Sequence, residues 1–397
     1  MRVLELMEAE ARLIPKDQLS RETALSIYKS KEFSLQFPSP INDDRYEIEC
    51  VSKVGYIPID SDTIVRVTPK VPIANLFGML ELAYDLQSFK FFDGIVGVES
   101  IEEVFENLAS ILANRVLDRV RRGLHGDYVE YNEEMSVVKG RIDMAKTVQL
   151  LAVGGAAVQC RFHEHTKDID DNQILLGTLQ IISRLNFRRP DVVSSVNSAR
   201  RALAGTIELR NLHSSECVLR IYNRLNDDYA PMHGLCRFFL EHAGPGIGRG
   251  TSDLIPFVVD MPLLFEAFVA KWLEKHAPNE IKVRGHHKAV LDSNKNLHFD
   301  IDIVIEDSAT SAPLAVIDTK YKRDGTPQQN DIQQVVAYAV RMGVNKAYLV
   351  YPQKLIEPMR ATVGHVTVEA LSVDLSENID EGVNALLKGL IARVHLV

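Results

Sequence analysis

The sequence predicts a multidomain α+β protein with a small N-terminal β-rich domain, a mostly helical middle region and a C-terminal α/β domain with a mixed central sheet. Runs of β-branched and aromatic residues separated by polar turns follow Arg45, as in a small antiparallel sheet. Apolar residues at helical spacing dominate between residues 100 and 245. In the last third, helical and alternating patterns succeed one another, which favours helices packed on a sheet.

The composition is that of an ordinary globular protein. Of the 397 residues, 46% are hydrophobic and 25% are charged, and this length favours two or three domains. The first ten residues carry acids where a secretory signal is apolar, and no run approaches the ~18–20 apolar residues of a membrane span. The four cysteines form no Cys-x-x-Cys pair, which indicates buried thiols in a reducing compartment. We therefore expect a cytoplasmic protein with no membrane partner.

The net charge of −9 disfavours a protein that coats nucleic acid by bulk attraction. It does not exclude an enzyme that grips DNA with a local basic patch, because metal-binding carboxylates count toward the same total.

The N-terminal region, residues 1–99, is predicted to contain a sheet followed by a helix. The strand-like runs are YEIECVSK, VGYIPI and TIVRVTP, with a polar turn at Asp60–Asp62 between the last two. The first 40 or so residues are mixed and give no assignment. The helix carries one apolar stripe, made by Ile73, Leu76, Phe77, Leu80 and Tyr84.

The middle region, residues 100–245, begins where Ser100 can cap a long helix. Glu103 lies three residues after the cap, and cations with a glycine end the helix at Gly123. A β-like stretch then runs to Met144, and either Asp170 or Asp171 is expected to cap the next helix. Further helices are predicted over 192–203 and 229–242.

The glycine-rich run Gly244–Gly250 is predicted to be the main hinge, so the last region spans residues 246–397. Closely spaced glycines after a proline cannot continue a helix. A phosphate-binding loop is the alternative, but the run lacks the Gly-Lys-Ser/Thr ending of that motif. Any nucleotide hydrolysis is therefore expected from a partner.

The last region is predicted to run helix, strands, helix. Asp260 can cap a helix with Pro262 in its first turn. Two strongly apolar runs, LHFDIDIVIE and PLAVIDTKYK, are predicted to pair as a hairpin because consecutive strands with a short connection usually do. The run DIQQVVAYAV then reads as a helix.

The candidate chemistry lies on this hairpin. Pairing would place Asp302 beside Asp318, with Lys320 about 6–7 Å further along the same face. Adjacent carboxylates repel, and a hard divalent cation with oxygen ligands compensates for that directly. A cation there, with an ammonium close by, is the arrangement that metal-assisted phosphodiester hydrolysis needs.

Other residues extend the candidate site. Glu266 lies beside the apolar face of the preceding helix and is a possible third metal ligand or a solvated helix residue, while Gln334 and Tyr338 lie one turn apart on the following helix. Taken alone, Asp-x-Lys on a strand is typical of an exposed salt bridge, and only the ordered set favours a nuclease. His286 and His287 are interpreted as a polar, DNA-facing surface rather than as catalytic residues.

These residues resemble the PD-(D/E)XK nuclease motif, with the QxxxY helix of one branch of that superfamily. Three further stretches look like the McrC family: Val54–Val71, Val137–Met144 and Phe162–Leu175. The stretches MPLLFEAFV and VIDTKYK also resemble segments that occur in that family in the same order. The resemblance therefore covers about Arg45 to Tyr351. The motif's proline is absent, since Ile301 precedes Asp302, and Asp300 remains a rival for the first carboxylate.

The resemblance implies the nuclease component of a McrBC restriction system, which cleaves DNA carrying modified cytosine. The N-terminal region would contact a hexameric AAA+ GTPase, McrB, and stimulate it, while the C-terminal domain would be an endonuclease using Mg²⁺. Asp302, Asp318 and Lys320 would take the catalytic positions, with Gln334 and Tyr338 on the accessory helix and Glu266 joining the two aspartates as a metal ligand. McrB, not McrC, would recognise the modified base.

Two other functions compete. The chain would act as a non-catalytic activator if its C-terminal domain only binds DNA while the rest stimulates a partner NTPase. It would act as a stand-alone repair nuclease if it cuts DNA without partner or nucleotide.

Overall fold

The computed structural model describes residues 2–60, 62–86, 100–242, 258–292, 297–322, 326–355, 357–376 and 379–394. These residues form two compact units, one of residues 1–104 with 247–397 and the other of residues 105–246. The described helices are α1 (Arg21–Lys29), α2 (Ile73–Ala83), α3 (Ile101–Arg122), α4 (Met144–Ala152), α5 (Asp170–Ile182), α6 (Pro190–Ala204), α7 (Tyr229–His242), α8 (Met261–His276), α9 (Gln329–Met342) and α10 (Ile379–Val394).

The described strands fall into four sheets, so a multidomain α+β architecture is confirmed. Their bounds are β1 (Arg2–Met7), β2 (Arg12–Ile14), β3 (Ser34–Gln36), β4 (Tyr46–Glu49), β5 (Lys53–Pro58), β6 (Thr63–Thr68), β7 (Asp127–Met135), β8 (Arg141–Ile142), β9 (Val158–Thr166), β10 (Val258–Asp260), β11 (Ile281–Val290), β12 (His298–Asp307), β13 (Pro313–Thr319), β14 (Lys346–Tyr351), β15 (Arg360–Val363) and β16 (Val366–Ser372).

The N-terminal strands differ in part from the single sheet that the sequence predicts. β5 and β6 pair antiparallel as expected, but β4 belongs to a separate sheet of order β2-β4-β3. The unassigned N-terminal residues supply β1, which pairs parallel with β6 from the Arg2↔Thr63 position onward. Parallel pairing over some sixty residues leaves no local turn signal in the sequence, which is why β1 escapes prediction.

The predicted separation of residues 1–99 from residues 246–397 differs from the structure, where both belong to one compact unit. β10 extends the N-terminal sheet by pairing antiparallel with β5, and α8 follows it directly. The backbone N–H of Met261 also donates to the carbonyl of Ser52 at 2.9 Å. The start of α8 is therefore anchored to the N-terminal sheet. The proposed hinge Gly244–Gly250 lies outside the described residues.

The second unit contains helices around an aromatic core and a sheet of order β7-β9-β8. Phe105 contacts Phe238 and Phe239 with ring centroids 5.1 and 5.2 Å apart, and all three side chains are buried. The predicted aspartate cap of α5 is wrong: the N-cap is Ile169, which makes no side-chain cap bond. Asp170 and Asp171 already lie inside the helix, where they form ion pairs with Arg210 and Arg220.

The six-stranded sheet of the first unit has the order β11-β12-β13-β14-β16-β15. It is mixed, because β14 runs parallel to β13 and β16 while the other pairs are antiparallel. β12 and β13 form the predicted hairpin, with Ile303 opposite Ile317. The predicted cap of α8 is also confirmed, since the Asp260 side chain accepts from the Leu263 N–H at 3.2 Å. In the described part of the chain, none of the helices has the length and hydropathy to cross a membrane.

Replacing Ile303 by alanine should lower the free energy of unfolding by about 2–5 kcal/mol, because it removes a buried side chain from the centre of the hairpin. Urea unfolding of the purified chain measures the change. Leu297→Ala is the control, since that side chain is 63% exposed and its loss should cost within about 0.5 kcal/mol. Equal effects of the two changes would contradict the observed packing of β12.

Candidate active site

The strand register brings Asp302 and Asp318 together. β12 and β13 pair antiparallel with Ile303 opposite Ile317, and one step further along this register Asp302 stands opposite Asp318. The Asp302 Oδ2 atom accepts hydrogen bonds from the Thr319 N–H at 2.7 Å and from its hydroxyl at 2.8 Å. The first carboxylate is thus held against the strand that carries the second.

Asp318 is the more buried carboxylate, with only 1% of its side chain exposed. Its Oδ2 atom forms an ion pair with the Lys320 Nζ atom at 2.7 Å, and it meets no other hydrogen-bond donor among the described residues. Burial, and then the negative charge of Asp302, raise the pKa of Asp318 to about 7, although the Lys320 ammonium opposes this. The charge of Asp318 is only partly compensated by the protein.

The pKa of Asp302 is raised for a related reason. Burial raises the pKa of Asp302, and the charge of Glu266 raises it further, while the two Thr319 hydrogen bonds and Lys320 act against the shift. The charge of Glu266 thus acts on Asp302, and the charge of Asp302 acts on Asp318, which is the electrostatic pattern of a cation-binding site.

Lys320 is fixed from two sides. Its Nζ atom contacts Asp318 and donates to the Gln334 Oε1 atom at 2.9 Å, and the Gln334 Nε2 atom donates to the Tyr338 hydroxyl at 2.6 Å. Burial lowers the pKa of Lys320, but the charge of Asp318 outweighs it, so the net shift is upward and Lys320 stays protonated. The structure thus brings Gln334 and Tyr338 to the lysine.

Glu266 lies on α8 beside the site, but it does not form a cluster of three metal ligands with the two aspartates among the described residues. Its Oε1 atom lies 2.8 Å from the Nδ1 atom of His286, and 15% of its side chain is exposed. Across the parts of the chain that the structure describes, no three histidine, cysteine or acidic side chains are gathered as a metal-binding group. The predicted ligand set of Asp302, Asp318 and Glu266 is therefore close in space without being assembled around one point.

Asp300, the rival first carboxylate, lies away from this cluster. Its side chain is 70% exposed, and its Oδ2 atom lies 3.4 Å from His298 Nε2. Asp300 shares a strand face with Asp302, but it lies about 6–7 Å nearer the exposed start of β12.

The donor chemistry fits a hard divalent cation. The two aspartates offer carboxylate oxygens, which Mg²⁺ prefers, and the buried Asp318 Oδ2 atom meets no donor other than the Lys320 ammonium among the described residues. A bound cation would counter the burial and the charge repulsion that raise the pKa values of both aspartates.

Sequence reasoning undervalued Thr319 and His286. Thr319 lies between two residues of the predicted motif, and its two hydrogen bonds to Asp302 depend on a register that only the folded hairpin reveals. His286 is 61% exposed, in agreement with a position on a polar surface, and it also contacts Glu266. The glycine before it, Gly285, was the available signal.

The segment Phe162–Leu175 builds a structural network instead of a second reactive site. The Asn172 side chain is fully buried and donates to the carbonyls of His125 and Lys167 at 2.8 and 2.7 Å. The Tyr229 hydroxyl donates to the Asn172 Oδ1 atom at 2.7 Å. These bonds tie the start of α5 to α7 and to the loop before β7.

Comparison with known proteins places the chain in a family. A family described as "McrBC 5-methylcytosine restriction system component" matches residues 48–352, which is more than half of the chain. The chain belongs to the McrC family. It is 26% identical over 267 residues to the type IV methyl-directed restriction enzyme EcoKMcrBC of Escherichia coli K12, covering 64% of this chain and 74% of that protein.

A solved structure agrees with this membership at the level of the fold. A chain in an assembly of Thermococcus gammatolerans McrB AAA+ hexamers with bound McrC aligns with a TM-score of 0.55 and 17% identity. The alignment covers 99% of this chain and 100% of that one, so both units of this McrC-family protein are included. The family match also includes the candidate site, since Asp302, Asp318, Lys320, Gln334 and Tyr338 lie within residues 48–352.

In the absence of divalent ions, the wild-type chain should lose folding stability as the pH rises from about 4 to about 7. The folded state keeps a proton on Asp318, whose pKa is raised from 3.8 to about 7, while the unfolded state has already released it. Asp318→Asn should make this fall shallower. Urea unfolding in a chelator at pH 5, 6, 7 and 8 measures it, and identical pH slopes for the two proteins would contradict the raised pKa.

Proposed function

We propose that this chain is the endonuclease subunit of a McrBC-like restriction system and that it hydrolyses DNA phosphodiester bonds with Mg²⁺. The observation that carries the proposal is the convergence of Asp302, Asp318 and Lys320 at one end of a buried hairpin. A purely structural ion pair gives no reason for two carboxylates to stand together with raised pKa values inside an apolar sheet.

Asp302 and Asp318 would hold the cation, with Glu266 as a further acid close enough to contribute charge. When bound, Mg²⁺ would supply an activated water and neutralise the charge that develops on the phosphate. Asp318 would be fully ionised in that state, because a neighbouring cation favours the charged carboxylate.

Lys320 would act on the phosphate or on the attacking water. Its ammonium is held between Asp318 and Gln334, so little rearrangement is needed to keep it near the scissile bond. A protonated lysine at this position stabilises the negative charge of the transition state. Tyr338 fixes the orientation of Gln334 and so acts through it.

The order of elements supports assigning the C-terminal region to the PD-(D/E)XK type. α8 carries Glu266, β12 and β13 carry the aspartates and the lysine follows β13, while α9 supplies Gln334 and Tyr338. The sheet is mixed, as the sequence analysis predicts for this domain, and its next strand, β14, runs parallel to β13.

We further propose that the chain works with a McrB-like hexameric AAA+ GTPase, which it stimulates and which recognises modified cytosine in DNA. The basis is family membership and the bound partner named for the aligned structure. The chain itself carries no phosphate-binding loop motif in its sequence, so a partner would supply nucleotide hydrolysis.

One observation favours a second candidate, a non-catalytic activator that only binds DNA. Among the described residues, no three potential ligands are assembled around a common point. The two functions differ in one measurable respect, since only the first requires DNA cleavage by this chain.

Asp318→Asn and Lys320→Ala should each lower the DNA cleavage rate at least about a hundredfold, because each removes a charged group that acts on the transition state. Cleavage of a plasmid carrying modified cytosine is measured with Mg²⁺, GTP and the McrB-like partner. Binding of that partner should be unchanged.

Asp300→Asn is the matched control, since it removes an exposed aspartate from the same strand and should leave cleavage unchanged. Wild-type cleavage by both the Asp318 and Lys320 variants would refute the proposed site. Absence of cleavage by the wild-type chain, with intact stimulation of the partner, would favour the activator.

A further inference from the structure

His286 lies in the same cross-strand row as the two aspartates. β11 and β12 pair with Gly285 opposite Ile303 and His287 opposite Ile301, so His286 stands opposite Asp302. Since Asp302 stands opposite Asp318 on the next strand, the row crosses three neighbouring strands. His286 thus occupies the position next to the candidate carboxylate pair on the edge strand of the sheet.

The backbone of His286 is unusual for a strand residue. Its φ is +50°, in the left-handed region that non-glycine residues rarely adopt. The pairing continues in register on both sides of it, so the distortion is confined to this residue. Strain of this kind persists where the surroundings enforce it, and it is concentrated at functional sites.

The preceding glycine lets α8 approach this point of the sheet. A Cβ atom added to Gly285 would lie 3.2 Å from the Cβ atom of Ala270, which is closer than most such contacts. Ala270 is one helical turn after Glu266 on α8. The close approach therefore brings Glu266 to the strand that carries His286.

His286 and Glu266 are in direct contact. The Nδ1 atom of His286 lies 2.8 Å from the Glu266 Oε1 atom, which makes an ion pair when the imidazole is protonated. Glu266 is only 15% exposed, whereas 61% of the His286 side chain is exposed. Glu266 is thus the more buried partner, and it is near enough to Asp302 for its charge to raise the pKa of that acid.

We propose that His286 is a positioning residue that holds Glu266 toward the carboxylate pair and so tunes the affinity of the site for a divalent cation. This inference rests on the proposed function, because it assigns a role toward the cation of the same site. Outer residues that orient a metal-binding carboxylate have a recognised effect, and their loss commonly weakens metal affinity about 10- to 100-fold.

The test is Mn²⁺ binding by the full chain, measured from the free-ion electron paramagnetic resonance signal, since Mn²⁺ suits the same oxygen ligands as Mg²⁺. His286→Gly removes the contact with Glu266 and also relieves the positive-φ strain, so the fold should be kept. We expect the Kd for Mn²⁺ to rise about tenfold, with no loss of thermal stability. His287→Ala, at the adjacent half-buried histidine, is the control and should leave the Kd unchanged.

A double-mutant cycle with Glu266→Gln isolates the contact. If His286 acts through Glu266, adding His286→Gly to Glu266→Gln should change the Kd little further. An unchanged Kd for His286→Gly overturns the proposal, as does a full additional tenfold loss in the double variant. Weaker DNA binding without metal, at unchanged Mn²⁺ affinity, would identify His286 as a phosphate contact and also overturn it.

The outcome separates this inference from the proposed function. If the wild-type chain and its Asp318→Asn variant bind Mn²⁺ with equal affinity, the proposed metal site is refuted. If Asp318→Asn and Glu266→Gln weaken binding and His286→Gly does not, only the role of His286 fails.

Discussion

The rest of the site depends on one constraint, which is the cost of burying two adjacent carboxylates. Asp302 and Asp318 lie side by side on neighbouring strands at the end of a buried hairpin. Removing carboxylates from water is costly, and placing them together adds repulsion. Two hydrogen bonds from Thr319 stabilise the Asp302 carboxylate, and the Lys320 ammonium stabilises that of Asp318. The compensation is incomplete, because the pKa values of both acids remain raised. A bound cation would complete it.

The surroundings of this pair come from distant parts of the chain. Tyr321, directly after Lys320, donates from its hydroxyl to the buried Glu8 Oε2 atom at 3.3 Å, and the Lys70 Nζ atom lies 4.5 Å from its ring centroid. Phe265, the neighbour of Glu266, packs against the same ring at 5.9 Å. The N-terminal sheet and α8 therefore meet at the residue that follows the lysine, so a change in that sheet has a physical route to the site.

Local patterns made much of this arrangement predictable. Alternation in β12 and β13, the Asp260 cap and the spacing of Gln334 and Tyr338 each depend on neighbours in sequence, and the structure has them as expected. Other features depend on residues far apart in sequence. β1 pairs with β6 across about sixty residues, and β10 joins β5 across some two hundred, so neither the composition of the first sheet nor the union of the first and third regions could be inferred. The contact of His286 with Glu266 similarly requires a helix to reach an edge strand.

The most direct measurement is the anomalous diffraction of crystals of the chain soaked with Mn²⁺. The account predicts a peak about 2.1 Å from a carboxylate oxygen of Asp302 and from one of Asp318. Loss of that peak in crystals of the Asp318→Asn variant would confirm the assignment. Mn²⁺ bound elsewhere, or no peak between the two aspartates at saturating concentration, would contradict it.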